Sequence, residues 1–123
     1  MAPRSPLSIS TSVVVRLVKE EASYHRELKQ QEERIKKLEA TPASTEDDDD
    51  DGNREFILKQ ERQALEETKN VLPSVKQKIT DAVAKLDQLL IEEGHKGMES
   101  NVAEIDAAKE AISRAKTAVR EIS

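Results

Sequence analysis

The stretch RLVKEEASYHRELKQQEERIKKLEA, Arg16 to Ala40, contains neither glycine nor proline and is dense in charge of both signs. Read at heptad spacing, Val14, Glu21, Leu28 and Ile35 alternate with Leu17, Tyr24, Gln31 and Leu38, so that six of eight stripe positions are apolar or aromatic. That period belongs to an amphipathic helix with one narrow seam and a broad charged outer face. The neighbouring positions Val18, His25 and Glu32 turn polar quickly, so the seam stays narrow. The spacing predicts a first helix over about 13–40, with Ser10, Thr11 or Ser12 as its N-cap and residues 1–12 as a flexible tail.

Outward from this stretch, TPASTEDDDDDG ends the helical pattern. Pro42 stops the helix, five consecutive aspartates repel one another, and Gly52 frees the chain. Residues 41–52 thus read as a solvated acidic linker, with Asn53 as the cap of a second helix over about 54–93. That helix carries the unbroken series Leu58, Leu65, Leu72, Ile79 and Leu86, flanked by Phe56, Ile57, Val75, Ala82, Val83, Leu89 and Leu90. Pro73 falls inside the series. It removes a backbone hydrogen bond to the carbonyl of Lys69 and crowds that carbonyl. The phase of the series is nevertheless the same on both sides of Pro73, and no turn-forming cluster surrounds it. One helix bent at Pro73 is therefore expected, in preference to two. EEGHKG ends it, with Gly94 at the left-handed position and Gly97 in the turn. A third helix over about 98–122 sets Met98, Ile105, Ile112 and Val119 beside Asn101, Ala108, Ala115 and Ile122.

Three amphipathic helices joined by one long and one short connection pack most simply as an all-α, elongated, antiparallel three-helix bundle, up-down-up and coiled-coil-like. The composition agrees. Charged residues make up 37% of 123, aromatic residues 2%, and aliphatic side chains must supply the core.

The same reading excludes several functions. The formal charge of −5 is carried by the run Asp47 to Asp51. The remainder is balanced and shows no basic face denser than Lys36-Lys37, so nucleic-acid binding is not expected. There is no cysteine, and His25 and His95 have no second ligand at metal-binding spacing, so no metal or other cofactor is expected. The aspartate run lacks the alternating acids, central glycine and closing glutamate of a calcium loop. No glycine-rich phosphate loop, nucleophile elbow or dinucleotide fingerprint occurs, and slim helices provide no water-excluding cleft, so catalysis is not expected. The first residues lack the apolar core of a secretory signal, and no apolar run reaches membrane-spanning length. A cytoplasmic interaction module remains, with the charged helix faces as its working surface.

VVVRLVKEEASYHRELKQQEERIKKLEA resembles the first helix of the tubulin-binding cofactor A family, the tubulin-specific chaperone A proteins. Arg16, Leu17, Lys19, Glu20, Tyr24, Lys29, Gln30, Gln31, Glu32 and Ile35 match the family pattern in place. Leu65-Glu66-Glu67, Val71-Leu72-Pro73, Leu86-Asp87-Gln88 and Leu89-Leu90 continue the resemblance, which covers about Val13 to Leu90. The linker is longer and richer in aspartate than the family pattern. The resemblance implies a three-helix bundle that binds β-tubulin after its release from the cytosolic chaperonin and holds it ahead of αβ-heterodimer assembly. It implies no nucleotide or metal, and only indirect dealings with the other tubulin-folding cofactors. The protein is expected in the cytoplasm, in association with the cytoskeleton, and the bundle reading expects a monomer, since the three seams satisfy one another, with a weak dimer as the alternative. The partner-binding residues it suggests are Lys19, Glu20, Lys29, Gln30 and Glu33 on the first helix and Glu66 and Glu67 on the second, while Tyr24 belongs to the seam and Pro73 to the shape of the helix. Two other readings compete. Heptad seams also build self-associating coiled-coil scaffolds, and three-helix bundles also serve as Hsp70-type co-chaperones.

Overall fold

The computed structural model describes residues 5–40, 48–97 and 100–122, with no strand among them. Helix α1 runs over Pro6–Ala40, α2 over Asp48–Gly94 and α3 over Val102–Ile122. The protein is an all-α three-helix fold whose contacts divide into two compact units, Met1–Ala22 with Pro73–Ser123, and Ser23–Leu72. Helices α1 and α2 each contribute to both units, and α3 belongs wholly to the first.

In the first unit all three helices pack together. The beginning of α1 lies beside the beginning of α3, where Ser5 Oγ donates to Glu104 Oε2 at 2.9 Å. Pro6, Ile9 and Val13 face Leu89, Lys85 and Ala82 across a common groove, so α1 and α2 are antiparallel. Helix α3 is antiparallel to α2 in turn, which gives the up-down-up order. Its core is formed by Leu7, Val14 and Leu17 from α1, Val75, Ile79 and Leu86 from α2, and Ala108, Ala111, Ile112, Ala115 and Ala118 from α3. Ile79 and Leu86 are fully buried, and each contributes roughly 1.5–3 kcal/mol by leaving water. The alanines of α3 carry only a methyl group between the helices, so α3 can approach closely.

Helix α1 starts at Pro6, earlier than the periodicity of its charged stretch suggests. Residues 5–12, expected as part of a tail, extend the helix by nearly two turns. Ser5 is the N-cap, its Oγ accepting from the Ser8 backbone N–H at 3.0 Å, and Pro6 occupies the first helical position, where a missing N–H costs nothing. Leu7 and Ser10 lie one heptad before Val14 and Leu17 and are buried with them. Ser10 to Ser12 are therefore helix interior and not its cap. Residues 1–4 of the expected tail lie outside the described residues.

The second unit is an antiparallel hairpin of the later half of α1 and the earlier half of α2. Ile35 and Leu72 are its buried apolar residues, with Gln31 and Thr68 buried beside them. Tyr24, Leu28, Leu38, Leu58 and Leu65 are half-buried along the expected seams. Thr68 Oγ1 returns its hydrogen to the Ala64 carbonyl at 3.0 Å, which removes the cost of burying the hydroxyl. Phe56 and Ile57, expected to flank the Leu58 series, are exposed. Two helices cover only a single stripe of each other, so these flanks stay in water.

The end of the hairpin is closed by arginines. Arg54 Nε donates to the Leu38 carbonyl at 2.9 Å, and its Nη2 donates to the carbonyls of Leu38 and Glu39. A guanidinium thus satisfies acceptors that the last turn of α1 leaves open and sits at the negative end of its dipole. Arg62 pairs with Glu39 at 2.9 Å, and Arg34 with Glu61 at 3.5 Å.

Helix α2 also begins earlier than expected, at Asp48, so Asp48 to Gly52 are helical and Asn53 lies inside the helix instead of capping it. The remaining linker residues, 41–47, lie outside the described residues. The helix then continues through Pro73 without interruption, which decides between one helix and two in favour of one.

The turn after α2 differs in detail from its sequence reading. The residue with positive φ is Gly97, at 60°, and Gly94 ends the helix without adopting that conformation. Ser100 N–H and Oγ both donate to the Gly97 carbonyl, at 3.1 and 2.7 Å. Asn101, read as a seam residue of α3, is its N-cap. Its Oδ1 accepts from the Glu104 N–H at 3.1 Å. Asn101 is one heptad step before Ala108, and periodicity alone does not distinguish the last seam position from the first cap. Met98, the other seam residue expected there, lies outside the described residues.

Candidate partner-binding surface

An amphipathic helix turns its polar positions outward, and all seven residues suggested by the sequence are exposed: Lys19, Glu20, Lys29, Gln30, Glu33, Glu66 and Glu67. They are divided between the two units. Lys19 and Glu20 belong to the first unit, where Glu20 lies 3.9 Å from Arg16 one turn earlier. The other five belong to the second unit. On α1, Lys29 and Glu33 are one turn apart, and Gln30 helps line a shallow polar depression of about 440 Å³ with Ser23, Arg26, Glu27 and Arg34. Glu66 and Glu67 follow the seam residue Leu65 and face away from it. Among the described residues, no hydrogen bond or ion pair links them to Lys29, Gln30 or Glu33.

This surface suits binding through many modest contacts. Exposed charges steer a partner and set its register, whereas each rim contact adds little affinity by itself. Tyr24 is half-buried on the seam, in keeping with a packing role. His25 is half-buried beside it.

Sequence periodicity missed two apolar grooves in the first unit. One, of about 310 Å³, lies between α1 and α2 and is lined by Pro6, Ile9, Ser10, Val13, Ala82, Lys85 and Leu89. The second, of about 430 Å³, lies between α2 and α3, where Val83, Ala115 and Val119 form an apolar floor bordered by Thr80, Lys116 and Arg120. The run of small residues in α3 was the available signal, because an alanine at a helix contact leaves room that a leucine would fill. Which side of the contact stays open depends on the position of the third helix.

Glu93, at the end of α2, is held by two partners. Its Oε1 accepts from the Asn101 N–H at 2.9 Å and its Oε2 lies 2.9 Å from Lys96 Nζ. The Asn101 backbone bond foremost, and then Lys96, hold its carboxyl below the ordinary 4.5. The carboxylate bridges the α2 end to the start of α3. Among the described residues there is no group of three or more His, Asp or Glu side chains placed to hold a metal ion, and no helix is long and apolar enough to cross a membrane.

The fold defines a class: small all-α three-helix proteins with charged outer helix faces and shallow grooves between helices. Comparison with known proteins narrows this class. The family model described as Tubulin binding cofactor A matches residues 2–112. Tubulin-specific chaperone A of Mus musculus is 34% identical over 108 residues, covering 84% of this chain and 90% of that protein. The Gallus gallus protein of the same name is 37% identical over 84 residues, 68% of each chain. That of Saccharomyces cerevisiae is 34% identical over 90 residues, 73% of this chain and 76% of its own. No solved structure matches the chain. The chain belongs to the tubulin binding cofactor A family.

Proposed function

We propose that this protein is a tubulin-folding chaperone that binds β-tubulin after its release from the cytosolic chaperonin and holds it ahead of αβ-heterodimer assembly. The observation that carries this reading is the family match over residues 2–112, in agreement with relatives from mouse to yeast that bear the name tubulin-specific chaperone A. Helix surfaces support it. Lys19, Glu20, Lys29, Gln30 and Glu33 on α1, with Glu66 and Glu67 on α2, are available to a large partner and supply the charged part of the contact. The protein works in the cytoplasm as a monomer, associated with the cytoskeletal system through its client. It needs no cofactor and performs no catalysis.

The test is native-gel and size-exclusion analysis of the purified chain with freshly folded β-tubulin and, separately, with the αβ heterodimer. A complex with β-tubulin and none with the heterodimer is expected. Co-migration with neither, in protein whose helicity is intact, overturns the reading. Recovery of Hsp70 instead of tubulin in a pull-down from cytosol favours the co-chaperone alternative, and a concentration-independent dimer favours the scaffold. Within this function, Lys19→Glu with Lys29→Glu is expected to weaken capture by about ten-fold while leaving helicity unchanged. Unchanged capture removes that face of α1 from the binding surface.

A further inference from the structure

Helix α3 carries Lys109, Ser113, Lys116 and Arg120 at spacings of four, three and four, one exposed stripe down a single side of the helix. No carboxylate interrupts it. Asp106, three residues before Lys109, stands at the head of the stripe, away from the Lys116 and Arg120 end, and Glu110 is already paired with Arg114 at 2.8 Å. Lys109 and Lys116 have no ion pair among the described residues. The stripe borders the α2/α3 groove, whose apolar floor of Val83, Ala115 and Val119 lies open beside Lys116 and Arg120. Two cations thus stand together beside one apolar hollow.

This combination selects a ligand chemistry. The floor rewards a buried aliphatic or aromatic side chain, and the cations beside it reward carboxylates on either side of that anchor. At about 430 Å³ the hollow is large enough for such an anchor, within the range of pockets that retain ligands. The α1/α2 groove lacks this second feature, since Lys85 is its only lining cation.

We propose that the α2/α3 groove is a docking site for an acidic segment of the client polypeptide, which inserts one large apolar side chain over Val83 and Val119 and sets flanking Asp or Glu side chains against Lys116 and Arg120. The inference rests on the tubulin-chaperone reading and adds to it a second contact region, remote in sequence from the charged stretch of α1. It assigns binding of the incompletely folded client to complementary charge around an apolar anchor.

The experiment uses the full chain and purified β-tubulin in a native-gel capture titration. Lys116→Glu with Arg120→Glu reverses the rim, and Thr80→Trp fills the hollow from an exposed position without disturbing the core. Lys78→Glu with Arg114→Glu makes the same change in net charge away from the groove. Circular dichroism establishes that each variant retains its helices. Capture weaker by about ten-fold for the rim and filled variants, with the charge-matched control near wild type, is the expected result. Rim-dependent capture is also expected to fall as salt is raised. Groove variants that capture β-tubulin as well as wild type overturn the proposal. So does an equal loss in the control, which would assign the effect to net charge alone. Failure of the wild-type chain to capture β-tubulin at all is a separate outcome. It sinks the chaperone reading itself, and the groove assignment with it.

Discussion

Glu93 shows how one side chain ties two helices together. Its carboxylate accepts from the Asn101 backbone and pairs with Lys96, and these contacts lower its pKa in the folded protein below the ordinary 4.5. A group with a depressed folded pKa adds stability that is fully present above the unfolded value and disappears as pH falls through the folded one. Glu93→Gln retains an oxygen for the Asn101 N–H but has no charge for Lys96. The variant is therefore expected to be less stable than wild type at pH 7, and the gap is expected to close as the pH falls below 4.5. Urea unfolding of both proteins across that range is the check. A gap that persists in acid would mean that packing, and not charge, makes the contribution. The sequence places Glu93 next to a turn but gives no sign of its bridge, because the partner is a backbone N–H eight residues away. Glu21 and Gln31 are more legible: both interrupt an otherwise apolar seam, and both are buried where that seam runs. The seven polar residues suggested as binding positions are likewise exposed, as their heptad phase implies.

At the scale of helices, periodicity located every element, while the ends were set by chemistry that periodicity does not contain. The Ser5 cap and Pro6 start α1, and Asn101 closes the door on a longer α3. The hollow between α2 and α3 was hidden for a related reason: it depends on which side of an alanine contact the remaining helix leaves uncovered. Pro73 is the case in which sequence phase prevailed over local propensity. The proline is exposed and α2 continues through it, so packing on both sides outweighs a cost of ~3 kcal/mol or more. Pro73→Ala restores a donor to the Lys69 carbonyl and relaxes the crowding there. After allowance for the greater freedom of the unfolded chain, a gain of about 1–2 kcal/mol in stability is expected. Denaturant unfolding reads it directly. A loss of stability would show that the surrounding packing is built around the proline ring.

For the molecule as a whole, buried apolar material is unevenly distributed. Of the buried hydrophobic residues among those described, Ile35 and Leu72 belong to the second unit and the others, from Leu7 to Ala118, to the first. Regions with few buried apolar contacts open at lower free energy. Backbone amides of Ser23–Leu72 away from the helix ends are therefore expected to exchange with solvent at least about ten-fold faster than those around Ile79, Leu86 and Ile112. Hydrogen exchange followed by mass spectrometry resolves the two regions, and uniform protection would mean that the chain unfolds only as one body. The arginine clasp has a consequence of its own. Arg54 and Arg62 fix the register of the hairpin from its flanks, so the connector between α1 and α2 does not have to. Lengthening such a connector to twice its size raises the entropy of closure by only about 0.6 kcal/mol. The length of that connection is thereby a minor term in the stability of the hairpin, and a change of length there is expected to cost little.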